Sequence, residues 1–129
     1  IQCDIQAVPY SVLKDAQPGE SSSTMRARVI AARTKQEERF SEYNATAAKA
    51  VHCNAQMTPK LVREFCQLDE AGDRMLSYAM DKMGLSARAY DRILKVARTI
   101  ADLDNSESIQ MVHISEAIGY RSLDREDWT

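Results

Sequence analysis

Arg88, Arg92 and Lys95 follow one another at helical spacing in the segment 84–103, GLSARAYDRILKVARTIADL, with Arg98 nearby. On a helix these residues form a short row of cations. A guanidinium offers a planar fork of donors that matches phosphate or carboxylate oxygens, so the row suits an anion. On pattern alone, a charged stripe opposite an apolar arc is a solvated face. Arg88 stands apart, because it falls in the first turn, where the helix dipole is already positive and acidic residues are favoured. A lone arginine there costs a few tenths of a kcal/mol, which points to an anionic ligand.

The other chemically capable residues do not assemble. His52, Cys53, Cys66 and His113 match no zinc spacing, which places ligands in tight pairs across a turn. No nucleophile is paired with a base, and Ser86 reads as a helix cap. The chain has neither a GxxxxGK[ST] phosphate loop nor a GxGxxG turn, so no motif lets it bind a nucleotide alone. Met75, Met80 and Met83 recur at helical spacing and read as core filler.

The cation row needs a helix to carry it. Gly84 can take the left-handed conformation that ends one helix, and Ser86 can cap the next. Leu85, Tyr90, Ile93, Leu94, Val96, Ala97, Ile100, Ala101 and Leu103 then share a broad apolar arc, broken after the helix by Asn105-Ser106. Upstream, a helix is expected over about 23–43, capped by a serine at 21–23, with Met25, Val29, Ala32, Gln36 and Phe40 inward. Residues 44–57 show no clear period and read as a loop with a turn of helix. Thr58-Pro59 begins a short helix to about Cys66, because threonine caps and proline costs no hydrogen bond at the first position. Further helices are expected at about 69–83, with Ala71, Met75, Leu76, Ala79, Met80 and Met83 inward, and at about 111–121, burying Val112, Ile114, Ala117 and Ile118. The tail from Arg121 is polar apart from Leu123 and Trp128.

Residues 1–9 alternate apolar and polar up to Pro9, a strand pattern without a partner strand, and 14–22 is a polar linker with Pro18 and Gly19. The fold expected is all-α, four to five helices in a bundle-like domain, with a short extended segment at the N-terminus. At 129 residues the chain suits one core. A net charge of −2 argues against wholesale wrapping of nucleic acid, though a local basic face fits. Three irregularly spaced cysteines read as reduced thiols of a cytoplasmic protein, and no apolar run approaches the roughly 20 residues of a membrane span. The absence of a starting methionine and the opening strand pattern suggest a piece of something larger.

The same residues resemble a family. The segment 84–103, then 113–118 (HISEAI) and 120–125 (YRSLDR), are similar to the C-terminal domain of magnesium-chelatase-like AAA+ ATPases, nearest their competence-type branch. Val8-Pro9-Tyr10, 19–22 (GESS), Arg26, Arg28 to Arg33, Asn54-Ala55 and 66–69 (CQLD) follow the pattern in order. The resemblance implies that residues 23–129 are the helical lid following an ATPase core, joined by the linker 14–22, and that 1–13 are the tail of that core. Ser86-Ala87-Arg88 matches the family's sensor 2 element, so Arg88 would contact the γ-phosphate of ATP, with Arg92 a weaker candidate. ATP and Mg would be held by the core, whose Walker motifs this chain lacks. The implied whole is a hexameric motor, the lid's partners being its own core and neighbouring subunits. Competence-type relatives act on DNA as branch-migration helicases, and a fragment alone would be inactive. Segment 42–53 is longer and less basic than the family pattern, which argues against a DNA contact there. A true porphyrin-metallating subunit fits the helix and tail motifs less well. From another functional class, the chain is a stand-alone helical module binding DNA or an acidic partner through its basic face.

Overall fold

The computed structural model describes residues 1–121, so the expectations for Ser122, Leu123, Asp124, Arg125 and Trp128 lie outside the described residues. Those residues form six helices: α1 (Tyr10–Lys14), α2 (Ser22–Thr46), α3 (Pro59–Phe65), α4 (Glu70–Met83), α5 (Ala87–Leu103) and α6 (Met111–Gly119), with a 3-10 turn at Asn54–Gln56. The all-α expectation holds. Its details differ in the N-terminal segment and in several inward assignments.

The start signals act as the sequence suggests. Ser21 accepts from the Thr24 amide at 3.2 Å, Thr58 from Leu61 at 3.4 Å, and Ser86 from Ala89 at 3.2 Å. Each satisfies one of the amides that a helix start leaves orphaned. Gly84 ends α4 at φ 61°, where a Cβ would crowd the carbonyl, and Asn105 takes φ 56° just past α5. The Leu85 amide closes back onto the Met80 carbonyl at 3.0 Å, which fixes the direction in which α5 sets out.

α5 is the central helix. It packs against α2, α3, α6 and the 3-10 turn, while α4 packs against α6. Its buried face carries Ala89, Ala97 and Ala101, whose small side chains admit close neighbours, and Ile93 and Leu94, which fill the space between them. Phe40, Val62, Leu76, Ile109 and Ile114 complete a continuous core. The Phe40 and Phe65 rings meet edge to face, with centroids 5.6 Å apart. Within the loop after α2, Val51 and Met57 are buried as well, although their segment shows no period.

Several inward assignments are corrected. Met25 and Val29 are exposed, because α2 starts well outside the bundle and meets it only from Ala32 onward; Ala32, Gln36 and Phe40 are buried as expected. Ala71 is exposed and Gly72 is buried in its place. Val112 is 62% exposed, and Tyr90 and Leu103 lie at the edges of the arc rather than inside it. Residues 1–9 form no strand, and the turn expected after them, before residue 14, is a short helix, Tyr10–Lys14. Period-2 alternation needs a neighbouring strand to hold it extended, and none lies among the described residues. Among the described residues, a backbone bond from the Gln2 amide to the Tyr120 carbonyl at 3.0 Å ties this stretch to the bundle.

Candidate functional site

α5 divides the four expected cations into three kinds. Arg88, in the first turn, is exposed and makes no ion pair with any described residue. No acidic residue shares that turn, so the cation adds to the amide dipoles instead of being neutralised. Arg92, one turn on, is also exposed and unpaired among the described residues. It lines an open cleft of about 490 Å³ between α5 and α6, with Lys95, Val96, Ala117 and Tyr120. Arg88 does not line that cleft. Lys95 is half-buried, and its Nζ donates to the Ala55 carbonyl at 3.3 Å.

Arg98 does not belong to the row. Its side chain is 5% exposed and donates to the Ser106 and Glu107 carbonyls at 2.8 and 2.9 Å, tying down the turn after α5. It also stands 3.1 Å from Asp102, one turn along. Asp102 is the centre of a network that the sequence reading missed. Arg39 of α2 clamps its carboxylate with two guanidinium nitrogens, at 2.8 and 2.5 Å. Asn54 of the 3-10 turn donates to the same carboxylate at 2.8 Å and accepts from Arg39 at 2.9 Å. The Asn54 amide in turn donates to Gln36 Oε1 at 2.9 Å. Burial opposes the charge on Asp102, but the hydrogen bonds from Arg39 and Asn54 and the two cations outweigh it, holding the carboxyl below its usual range. Arg98 is pulled the other way, its affinity for a proton lowered by burial and only partly restored by Asp102.

The network joins α2, the 3-10 turn and α5, so the exposed cations ride on a helix fixed from behind. The i, i+4 spacing of Arg98 and Asp102 was the legible signal, together with Gln36 on the inner stripe of α2. Nothing in the sequence joined Arg39 and Asn54 to them.

The metal-ligand candidates are scattered, and among the described residues no group of three His, Cys, Asp or Glu side chains is placed to hold a metal ion. His113 is a cap: its Nδ1 accepts from the Gln110 amide at 3.0 Å, so the hydrogen sits on Nε2, which donates to Asp104 at 2.8 Å. Cys66 is buried against α5, and desolvation raises its thiol to about 11 despite the nearby Arg98 and Arg39. Among the described residues no helix is long and apolar enough to cross a membrane. What this surface can do chemically is present one or two oriented guanidinium groups to an anion; it offers no cradle for a nucleotide of its own.

Comparison with known proteins gives these features a context. Residues 19–121 match the family described as magnesium chelatase, subunit ChlI C-terminal. The chain is 39% identical over 126 residues to the uncharacterized protein YifB of Escherichia coli (strain K12), covering 97% of this chain and 23% of that protein. It is 36% identical over 126 residues to the competence protein ComM of Haemophilus influenzae (strain ATCC 51907 / DSM 11121 / KW20 / Rd), with the same coverage of 97% and 23%. A third relative, the uncharacterized protein Rv2897c of Mycobacterium tuberculosis (strain ATCC 25618 / H37Rv), is 31% identical over 106 residues, 82% of this chain and 20% of that protein. The chain thus spans about a quarter of the length of the first two relatives.

Proposed function

This chain belongs to the magnesium chelatase subunit ChlI C-terminal family, and we propose that it is the helical lid of an AAA+ ATPase in which Arg88 contacts the γ-phosphate of ATP. The observation that carries the reading is the first turn of α5. An arginine stands there exposed, in ion-pair contact with no described carboxylate and with no acidic residue in its turn. An isolated helix gains nothing from that placement, whereas an incoming polyphosphate gains both a charge-assisted fork and the dipole of the amides behind it.

ATP and its magnesium ion belong to the core of the longer polypeptide, since the chain has no phosphate loop. When bound there, the nucleotide supplies a phosphoryl group whose transfer concentrates negative charge on its oxygens. Arg88 neutralises part of that charge from the lid side, and Arg92 lies one turn away as the weaker second cation. The Arg39–Asp102–Asn54 network holds α5 against α2, so the position of Arg88 is set by the whole bundle. The similarity to a competence protein supports DNA as the substrate of the motor, and the resemblance to AAA+ ATPases implies a hexameric ring of cores and lids. The natural location of such a motor is the cytoplasm.

Arginine modification tests the contact. In the longer polypeptide, saturating a non-hydrolysable ATP analogue with magnesium should slow phenylglyoxal modification of Arg88 at least tenfold, read by peptide mass spectrometry. Modification of exposed Arg74 serves as the control. Equal rates for Arg88 with and without nucleotide would remove the basis of the assignment.

A further inference from the structure

The apolar stripe of α2 runs on past the bundle. Met25, Val29, Ala32, Gln36 and Phe40 recur at spacings of four and three residues and so share one face of the helix. The last three are buried against the bundle, but Met25 and Val29 are 45% and 51% exposed. They belong to a longer exposed arm. Of the fourteen large apolar side chains exposed among the described residues, nine lie within residues 1–30 and five in the remainder. The arm does not cover itself, since α1 leaves Tyr10, Val12 and Leu13 in solvent as well. A stripe that serves as core for two turns and then continues bare for two more is a packing surface whose other half is elsewhere.

Resting on the function proposed above, we infer that the Met25–Val29 stripe docks onto the part of the same polypeptide that precedes residue 1, the ATPase core. The curated relatives matched over nearly the whole of this chain are about four times as long, so a body of sufficient size exists in such proteins. Residues 1–21 bring the chain from that body directly to the start of α2, so the covering surface is held near the stripe by the chain itself. Charge narrows its chemistry. Arg28 lies beside the stripe on one side, where it pairs with Glu20 at 2.7 Å, and Arg26 and Arg33 lie on the other. The complementary surface is therefore apolar at its centre and acidic at its rim. Docking there would give the lid a second anchor on the core, separate from Arg88.

Amide hydrogen exchange, measured without nucleotide on this chain and on the longer polypeptide, reads the contact directly. The amides of residues 25–31 should exchange at least tenfold more slowly in the longer form, and Met25→Asp with Val29→Asp should abolish that difference. Because these side chains are exposed and take no part in the core cluster, exchange of α5 and α6 serves as the internal check that the variant is folded. Equal exchange in the two forms overturns the inference. Slowing in the isolated chain that grows with protein concentration overturns it in favour of a second copy, and slowing only on addition of duplex DNA overturns it in favour of nucleic acid. The two readings fail separately: slow exchange alongside an Arg88 indifferent to nucleotide sinks the phosphate contact alone, while fast exchange with a protected Arg88 sinks the docking alone.

Discussion

Asp102→Asn should be the most damaging conservative change in the bundle. The carboxylate is 1% exposed and is the shared counter-charge of Arg39 and Arg98, whose side chains are 14% and 5% exposed. An amide of the same shape keeps one acceptor but removes the charge, leaving two cations in a desolvated setting and losing half of the two-pronged bond to Arg39. Removing one member of a buried pair typically costs about 3–5 kcal/mol. The Arg98 bonds to the Ser106 and Glu107 carbonyls survive and soften the loss, so about 3 kcal/mol is expected. Against a total stability of about 5–15 kcal/mol for a domain, that is a large fraction. Urea denaturation followed by far-ultraviolet circular dichroism at neutral pH measures it, with Arg39→Met and the double variant completing a cycle. The double variant should lose clearly less than the sum of the singles, because a single loss already breaks the clamp. A loss below about 1 kcal/mol for Asp102→Asn, with additive singles, would refute the claim that the network fixes α5.

Other outcomes follow from the same structure. Because the folded carboxyl of Asp102 titrates below its unfolded value, its stabilisation is complete above about pH 4 and is lost as the pH falls through the lower folded value. Acid unfolding of the native chain should therefore steepen below pH 4, and the Asp102→Asn variant should not show that step. Cys66 has the opposite sign: its folded thiol is raised to about 11, so its stabilisation is full below an unfolded value near 9 and declines as the pH rises through 11. The decline should reach about 2–3 kcal/mol and be absent in Cys66→Ala; a disulfide-exchange reagent at pH 8 should modify Cys3 far faster than Cys66. Gly84→Ala should cost about 1–2 kcal/mol, read as a lower urea midpoint, because φ 61° is strained for any residue with a Cβ. The isolated chain should bind a fluorescent DNA duplex only weakly at 0.15 M salt; tight, salt-sensitive binding would favour the stand-alone module instead.

The helix boundaries were legible wherever a cap residue announced them. Ser21, Thr58, Gly84 and Ser86 each sit where their backbone chemistry predicts, and the α5 arc buries Ile93, Leu94, Ala97 and Ala101 as its periodicity requires. Periodicity says which face is apolar but not where the neighbouring element stops. That is why Met25 and Val29, on the correct face of α2, are bare: the bundle ends before them. The loop 47–53 hid Val51 for the same kind of reason, since a single buried residue in irregular chain has no period to betray it. Arg98 was read as a surface cation because a helical wheel measures angle, and at its angle the turn 104–108 happens to fold over it with two carbonyls. The Arg39–Asp102–Asn54 contact spans three elements distant in sequence, which no local pattern encodes. At the candidate site, the first-turn arginine was readable from the Ser86 cap, which sets Arg88 at the positive end of the helix dipole where acidic residues are favoured.

The phosphate contact assigned to Arg88 is tested most directly by steady-state ATP hydrolysis of the longer polypeptide with Arg88→Ala, measured beside Arg92→Ala. Loss of one donor to a developing phosphoryl charge is worth about 3–4 kcal/mol, so turnover should fall by about 100-fold or more for Arg88→Ala and by much less for Arg92→Ala. Wild-type turnover in Arg88→Ala, in a protein whose assembly and nucleotide affinity are intact, would contradict the account.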